Sequence, residues 1–563
     1  MLVGKNASSG IGIAPCLIIS NQEIKIESEL HSNDQREIER FTSGLKSTST
    51  QLKSLYQKVL TNFGDDKAQI FEAHLLILED PEFVESVKSK ILDDKFKSTR
   101  AVFEVSELFI TMFEGMEQDY LRERAQDIKD VTHRLLRNIL NISEFDLTSL
   151  EKNFILVAND ITPSQMASLD IKNVSGIITE VGGKTSHTAI MARTLELPAV
   201  VGLKNATTSL VSNELIICDG DNGIVIPNPT PETLKKYNSL KEKIEKDKIE
   251  LSQFKNLKTF TSDHHQVYLE SNIASVKDLE AVLKNGAEGI GLFRTEFIFM
   301  DRNSAPSEEE QFEIYKAVLS VMGNKPAVIR TLDVGGDKNI SYLKIPKEEN
   351  PFLGLRALRY CLLHPDIFKT QLKALLRASV YGHLHIMFPM VSSLDELLSA
   401  KYILNQAKEE LTISNVPFSS DIKVGIMIEI PSAAMITDLL SEHVDFFSIG
   451  TNDLIQYMCA VDRMNEQIHD LYDPFHPGVL RIINHVIKSS KNKPVAMCGE
   501  MASNELLTSL LIGMGLSHFS MTPSSILKIR KHIKNISFEK SKKLTDQVLS
   551  LSTSSSIKDL LNS

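Results

Sequence analysis

From about residue 33 to 141 apolar residues recur at a spacing near 3.6 in a background rich in Lys, Glu, Leu and Gln, with almost no internal Gly. The pattern predicts helices over 34–62, 66–94 and 98–141. Pro81, in LEDPEF, falls inside the second and should kink or break it, because proline removes a helix hydrogen bond and crowds the preceding turn. Residues 154–228 read differently. Short runs (FILVA, GIITE, AVVGL, LIICDG, GIVIPN) are separated by Gly, Asp and Asn, the punctuation of a small α/β unit. The first 20 residues share that texture, so the helical stretch reads as an insertion into the α/β unit.

Thr230 and Pro231 stand where an N-cap and an N1 proline belong, ahead of the charged segment PETLKKYNSLKEKIEKDKIELSQFKN. This predicts a solvated connecting helix, about 39 Å long if all of it is helical. Beyond residue 262 come eight β-rich runs, at 267–272, 289–294, 327–333, 384–390, 424–430, 445–450, 494–500 and 518–522, mostly separated by helix-length segments. Eight strand-helix repeats in about 300 residues are the arithmetic of a TIM barrel. Several runs end in a chemically capable residue: Arg294, Arg330, Glu429, Cys498, and Asn452 with Asp453 just beyond. In such barrels the C-terminal strand ends form the active-site mouth, so these side chains should converge.

The length of 563 residues is too great for one core and suggests three or four units. A formal charge of -11 provides no global positive field to attract nucleic acid or an anionic membrane, so an anionic substrate must be held by local arginines. Five scattered cysteines without CxxC support neither a disulfide framework nor a thiolate zinc site, which fits a reducing compartment. The start lacks the uninterrupted apolar core of a secretory signal, and no run of 18 apolar residues occurs, so the expected location is cytoplasmic.

One segment carries distinctive chemistry. Val181-Gly-Gly-Lys-Thr-Ser-His187 follows a strand-like run, turns at two glycines and opens a helix that Thr185 or Ser186 can cap. His187 then lies in a first turn, where free N–H groups and the positive end of the helix dipole favour phosphate. A neutral ring nitrogen there is suited to carry a phosphoryl group. Gly183-Lys184-Thr185 also matches the end of a Walker loop, but that motif needs Gly at 178, which is Ile.

GGKTSHTAIMARTLELPAVVG resembles the phosphohistidine signature of phosphoenolpyruvate-utilising enzymes. GLFRTEFIFM, RTLDVGGDK, ENPFLGLRALR, IMIEIPSA, FFSIGTNDLIQY, AVDRMN and MCGEMAS are similar to that family's barrel motifs, in the same order. In domain order and length the chain resembles the family branch that serves bacterial sugar phosphotransferase systems. The resemblance implies a multidomain α/β protein: a phosphohistidine α/β domain (1–32 and 142–229), an inserted helical carrier-binding domain (33–141), a linker helix (230–261), and a C-terminal (β/α)8 TIM barrel (262–563) that binds phosphoenolpyruvate and dimerises. It implies His187 as phosphoryl acceptor and Cys498 as proton donor to the enolpyruvate carbon. Arg294, Arg330, Asn452, Asp453 and Arg463 would bind substrate, with Arg356 a weaker further candidate, and Glu429 and Asp453 would hold Mg2+. The implied partners are phosphoenolpyruvate, a small HPr-like histidine carrier and a second copy of the chain.

Two other readings are weighed. A dikinase or phosphoenolpyruvate synthase needs an ATP-binding domain of several hundred residues, for which this length leaves no room. A catalytically inactive binding protein would not be expected to keep His187, the arginines, both carboxylates and Cys498 together. Leu355 and Met464 depart from the motifs, where an aromatic and a small residue are expected.

Overall fold

The computed structural model describes every residue except 20–25, 27–28, 64, 116–118, 143–152, 162–164, 166–172, 184–185, 301, 337–339, 344, 347 and 466. The chain divides into two compact units, Met1–Glu245 and Lys246–Ser563.

The strands of the first unit are β1 (Leu2–Val3), β2 (Lys5–Ser8), β3 (Ile11–Ile19), β4 (Phe154–Ala158), β5 (Val174–Thr179), β6 (Ala199–Val201), β7 (Leu215–Asp219) and β8 (Ile224–Pro227). Among the described residues they form one sheet in the order β1-β8-β7-β3-β4-β5-β6-β2. The run from β3 to β6 is parallel and the rest antiparallel. Both faces are covered, so β4 is apolar throughout: Phe154, Leu156 and Ala158 enter one core, Ile155 and Val157 the other.

Between β3 and β4 lie helices α1 (Asp34–Phe63), α2 (Asp65–Leu78), α3 (Pro81–Leu92), α4 (Ser98–Glu114) and α5 (Asp119–Leu140), around a core that includes Phe41, Leu52, Phe71, Phe83, Val102 and Leu135. Pro81 breaks the expected second helix, as its chemistry requires, and becomes the first residue of α3; Asp80 caps that helix by accepting the Phe83 N–H at 3.0 Å. The single helix expected over 98–141 is instead two. Gly115 caps the end of α4, and α5 starts at Asp119. The periodicity runs through this break because both helices bury the same kind of face, while the low helix propensity of one glycine is a weaker signal. Helix α6 (His187–Thr194) follows β5, and its Ala189 and Ala192 pack against the β4 face. Helix α7 (Pro231–Ser252) is the connecting helix, with the Thr230 hydroxyl accepting the Thr233 N–H at 3.3 Å; it ends four residues earlier than the charged segment.

The second unit is built on β9 (Thr259–Phe260), β10 (Gln266–Ile273), β11 (Ile290–Arg294), β12 (Pro326–Arg330), β13 (His383–Phe388), β14 (Lys423–Ile428), β15 (Phe446–Ile449), β16 (Val495–Met497) and β17 (His518–Met521). From β10 to β17 each strand pairs in parallel with the next, and β10 also pairs with β17, closing an eight-stranded barrel. β9 adds to β10 antiparallel. On β10, Val267, Leu269 and Ile273 face the surrounding helices as part of one large core. Leu292, Val328, Met387, Met427, Phe446 and Cys498 form a second apolar cluster contributed by different strands. Among the described residues no helix is long and apolar enough to cross a membrane.

Candidate active site

The expected residues of the second unit meet in one cavity of about 550 Å³ at the C-terminal ends of the barrel strands. Arg294, Arg330, Glu429, Asn452, Asp453, Arg463 and Cys498 all line it, together with Glu296, Asp333 and Arg356. Arg294 and Arg330 are the last residues of β11 and β12, and Glu429 and Cys498 each follow the end of a strand. Asn452 and Asp453 fall in the first turn of the helix Thr451–Cys459, directly after β15.

Most of these charges are partnered in an alternating chain. Glu296, fully buried, accepts two hydrogen bonds from Arg330 at 2.9 and 3.0 Å. Asp333 lies 3.0 Å from Arg330 and accepts from Arg356 at 3.1 and 3.3 Å. Arg356 continues to Asp453 at 3.1 Å to each carboxylate oxygen, and Arg463 lies 3.8 Å from the same carboxylate. Such paired, desolvated charges hold their side chains to one geometry. Arg294 is the contrast. It is exposed and stacks over Phe297 at 4.8 Å, with no carboxylate partner among the described residues. Arg330 keeps a buried Nε without a hydrogen-bond partner, a donor turned to no protein group.

Glu429 is 1% exposed and accepts the Met390 N–H at 2.6 Å. Met390 holds a left-handed backbone (φ 54°), which for a non-glycine residue costs energy and here aims its N–H at the carboxylate. Burial pushes the Glu429 carboxyl up to about 7, and the nearby Asp453 and Asp333 add to this against the pull of Arg330 and Arg356. Among the described residues no cluster of three or more metal-binding side chains occurs. Two carboxylates facing an open cavity suit a hard dication that keeps water and substrate oxygens as its other ligands.

Asn452 and Glu500 bond reciprocally: the Asn452 amide donates to Glu500 at 3.2 Å and accepts the Glu500 N–H at 3.1 Å. Cys498 is 6% exposed, and burial pushes its thiol up to about 11, so it stays protonated at neutral pH. Its carbonyl accepts from the Asn272 amide at 2.9 Å, whose oxygen in turn accepts from Ser520 at 2.6 Å. Glu296, Asp333, Asn272 and Met390 escaped the sequence reading. The first two sit inside the quoted segments RTEF and RTLD, but a carboxylate beside an arginine in sequence gives no sign that it pairs with one in space.

His187 belongs to the first unit and opens α6. Ser186 is the cap, accepting the Ala189 N–H at 3.3 Å, and the chain reaches it through Gly182 at φ +108°, a conformation that glycine adopts without strain. The backbone of His187 thus stands in a helix first turn, as expected. Its side chain, and the alternative cap Thr185 with Lys184, lie outside the described residues.

The closed parallel barrel, with its arginine and carboxylate-lined mouth, and the separate unit with a histidine at a helix start define the class: enzymes that handle phosphoenolpyruvate. Family models agree. Residues 248–538 match the PEP-binding domain of PEP-utilising enzymes, 3–124 their N-terminal domain and 150–223 their mobile domain. Relatives named phosphoenolpyruvate-protein phosphotransferase are similar over the whole chain. That of Priestia megaterium is 46% identical over 100% of this chain and 98% of its own, that of Bacillus subtilis 45% over 99% and 98%, and that of Staphylococcus carnosus 44% over 99% and 98%. The chain belongs to the phosphoenolpyruvate-protein phosphotransferase family.

Proposed function

We propose that the protein takes the phosphoryl group of phosphoenolpyruvate onto His187, releases pyruvate, and passes the group to the histidine of a small HPr-like carrier. This is the opening reaction of a sugar phosphotransferase system. The observation that carries it is the gathering of Arg294, Arg330 and Arg463, Glu429 and Asp453, and the protonated Cys498 thiol around one cavity. Arginine forks match both the carboxylate and the phosphate of the substrate, and Arg294, free of protein carboxylates among the described residues, is the one most available to them. Asn452 would donate a further hydrogen bond to the substrate, and Asp453 stands beside it in the same helix turn.

In the first half-reaction the bond from phosphorus to the enol oxygen breaks as one to a His187 ring nitrogen forms. The electron pair left on oxygen makes an enolate, which becomes pyruvate when its terminal carbon takes the proton of the Cys498 thiol; the thiolate then recovers a proton from water. Glu429 and Asp453 would hold Mg2+, which when bound offsets charge on the transferring phosphoryl oxygens. The second half-reaction moves the phosphoryl group from His187 to the carrier's ring nitrogen.

We assign carrier docking to the helical segment 33–141, substrate binding and pairing with a second copy to 262–563, and the phosphohistidine domain to 1–32 with 142–229, joined by the linker 230–261. A cytoplasmic location fits the reduced cysteines, all five of which are free. The test is stoichiometric. With magnesium, phosphoenolpyruvate and no carrier, the protein should release one pyruvate per chain and stop, whereas His187→Ala should release none. Continuing release without carrier, or an undiminished burst from His187→Ala, would contradict the assignment.

A further inference from the structure

Arg356 has five N–H bonds and the structure accounts for all of them. Nε donates to Asp333 at 3.1 Å, Nη2 to Asp333 at 3.3 Å and to Asp453 at 3.1 Å, and Nη1 to Asp453 at 3.1 Å and to the Tyr457 hydroxyl at 3.3 Å. The residue is 1% exposed and its guanidinium lies 5.7 Å from the centre of the Phe352 ring. Tyr457 is itself fixed, its hydroxyl donating to the Phe352 carbonyl. No donor remains to meet a phosphate or a carboxylate from outside. The fourth arginine of the cavity is therefore built for another purpose than substrate contact.

Asp453 is the carboxylate it grips by both oxygens, and with Glu429 Asp453 is the pair assigned above to the metal. Arg463 lies 3.8 Å from the same carboxylate, so a bare dication approaching Asp453 meets two positive charges already in place. We propose that Arg356 is a positioning residue that occupies Asp453 as a stand-in for the divalent cation, so that the ion competes with its guanidinium and binds well only together with the anionic substrate. This rests on the metal-site reading of Glu429 and Asp453. The guanidinium keeps Asp453 paired and in place while no metal is bound. Through Asp333, which touches both Arg356 and Arg330, it also ties the substrate arginine Arg330 to the same event.

The experiment titrates Mn2+ by its electron paramagnetic resonance signal, with and without phosphoenolpyruvate. The full chain carries His187→Ala so that no turnover intervenes. Arg356→Gln should tighten Mn2+ binding in the absence of phosphoenolpyruvate by about tenfold or more, and should shrink the extra tightening that phosphoenolpyruvate brings. A merely structural arginine would do the reverse, since losing it would loosen Asp453 and weaken the metal. Unchanged or weaker Mn2+ binding by a variant that melts cooperatively would overturn the proposal. If Arg356→Gln does not fold, the same change is made in an Asp333→Asn chain, where the buried Asp333 charge is removed along with that of Arg356, and is compared with Asp333→Asn alone; tightening is again expected and its absence again decisive. Failure of the His187→Ala chain to bind Mn2+ even with phosphoenolpyruvate would instead refute the metal site, and the proposal with it.

Discussion

Cys498 and Glu270 show how burial, as the largest influence, shifts a side chain's protonation. The Cys498 thiol, pushed up to about 11, stays protonated at neutral pH, as the proton-donor role proposed for it requires. Cys498→Ala should lower pyruvate formation by roughly 10²–10⁴-fold, the usual size of a lost general acid, with Mn2+ binding unchanged; rapid-quench assays of pyruvate would show it. Glu270, on β10, packs beside Gly291 and Ser520, and burial, helped by Glu288, raises its carboxyl to about 8. The folded protein therefore holds a proton there that the unfolded chain gives up near its ordinary value of 4.5. Stability from this group is present below about pH 4.5 and falls as pH rises toward 8, by about 5 kcal/mol in all. Glu270→Gln should flatten that part of the stability curve and make the protein more stable than the parent at pH 8, as chemical denaturation at several pH values would reveal. A parent no less stable at pH 8 than at pH 5.5 relative to the variant would argue against a protonated Glu270. The motif MCGEMAS singles out Cys498 in the sequence but not its burial, and nothing in the sequence marks Glu270, because a Glu in a strand looks like any other until its neighbours are known.

At the scale of elements, pattern told most where periodicity was long and least where one turn decided the outcome. The eight strand runs, the break at Pro81 and the start of α7 after Thr230 were legible because each has a local cause: a short β-rich run, a lost N–H, a cap. The break between α4 and α5 was missed because both helices present similar apolar faces and only Gly115 marks the end. The turn after α7 shows what sequence hides. Arg530, 2% exposed, donates to the carbonyls of Phe254, Lys255 and Gly286 at 3.0, 3.1 and 2.7 Å, fastening the end of that turn to the barrel. Gly286 adopts φ +64°, and a Cβ there would stand 1.9 Å from the Lys255 carbonyl oxygen. Gly286→Ala should thus destabilise the second unit by about 2–4 kcal/mol, from backbone strain and the clash together, which calorimetry on the full chain would register as a lower transition for that unit. An unchanged melting profile would mean that the turn relaxes freely.

For the whole molecule, the sequence already contained the two centres of the chemistry, the histidine at a helix start and the strand-end residues of a barrel. The carboxylates that hold the barrel arginines stayed hidden. Arg330 and Arg463 were recognisable from motif position. That Glu296 and Asp333 hold Arg330, and that Arg356 donates to Asp453, depend on contacts between residues up to 97 positions apart. Such pairing is a property of the closed barrel, which brings strand ends from across the chain to one mouth. The central claim is that the phosphoryl group passes through His187. It is tested most directly by incubating the protein with magnesium and phosphorus-labelled phosphoenolpyruvate, without ATP or carrier, and mapping the label. The account requires an acid-labile, alkali-stable label on His187 that leaves when a small histidine carrier is added. Label on another residue, or label gained only from ATP, would contradict it.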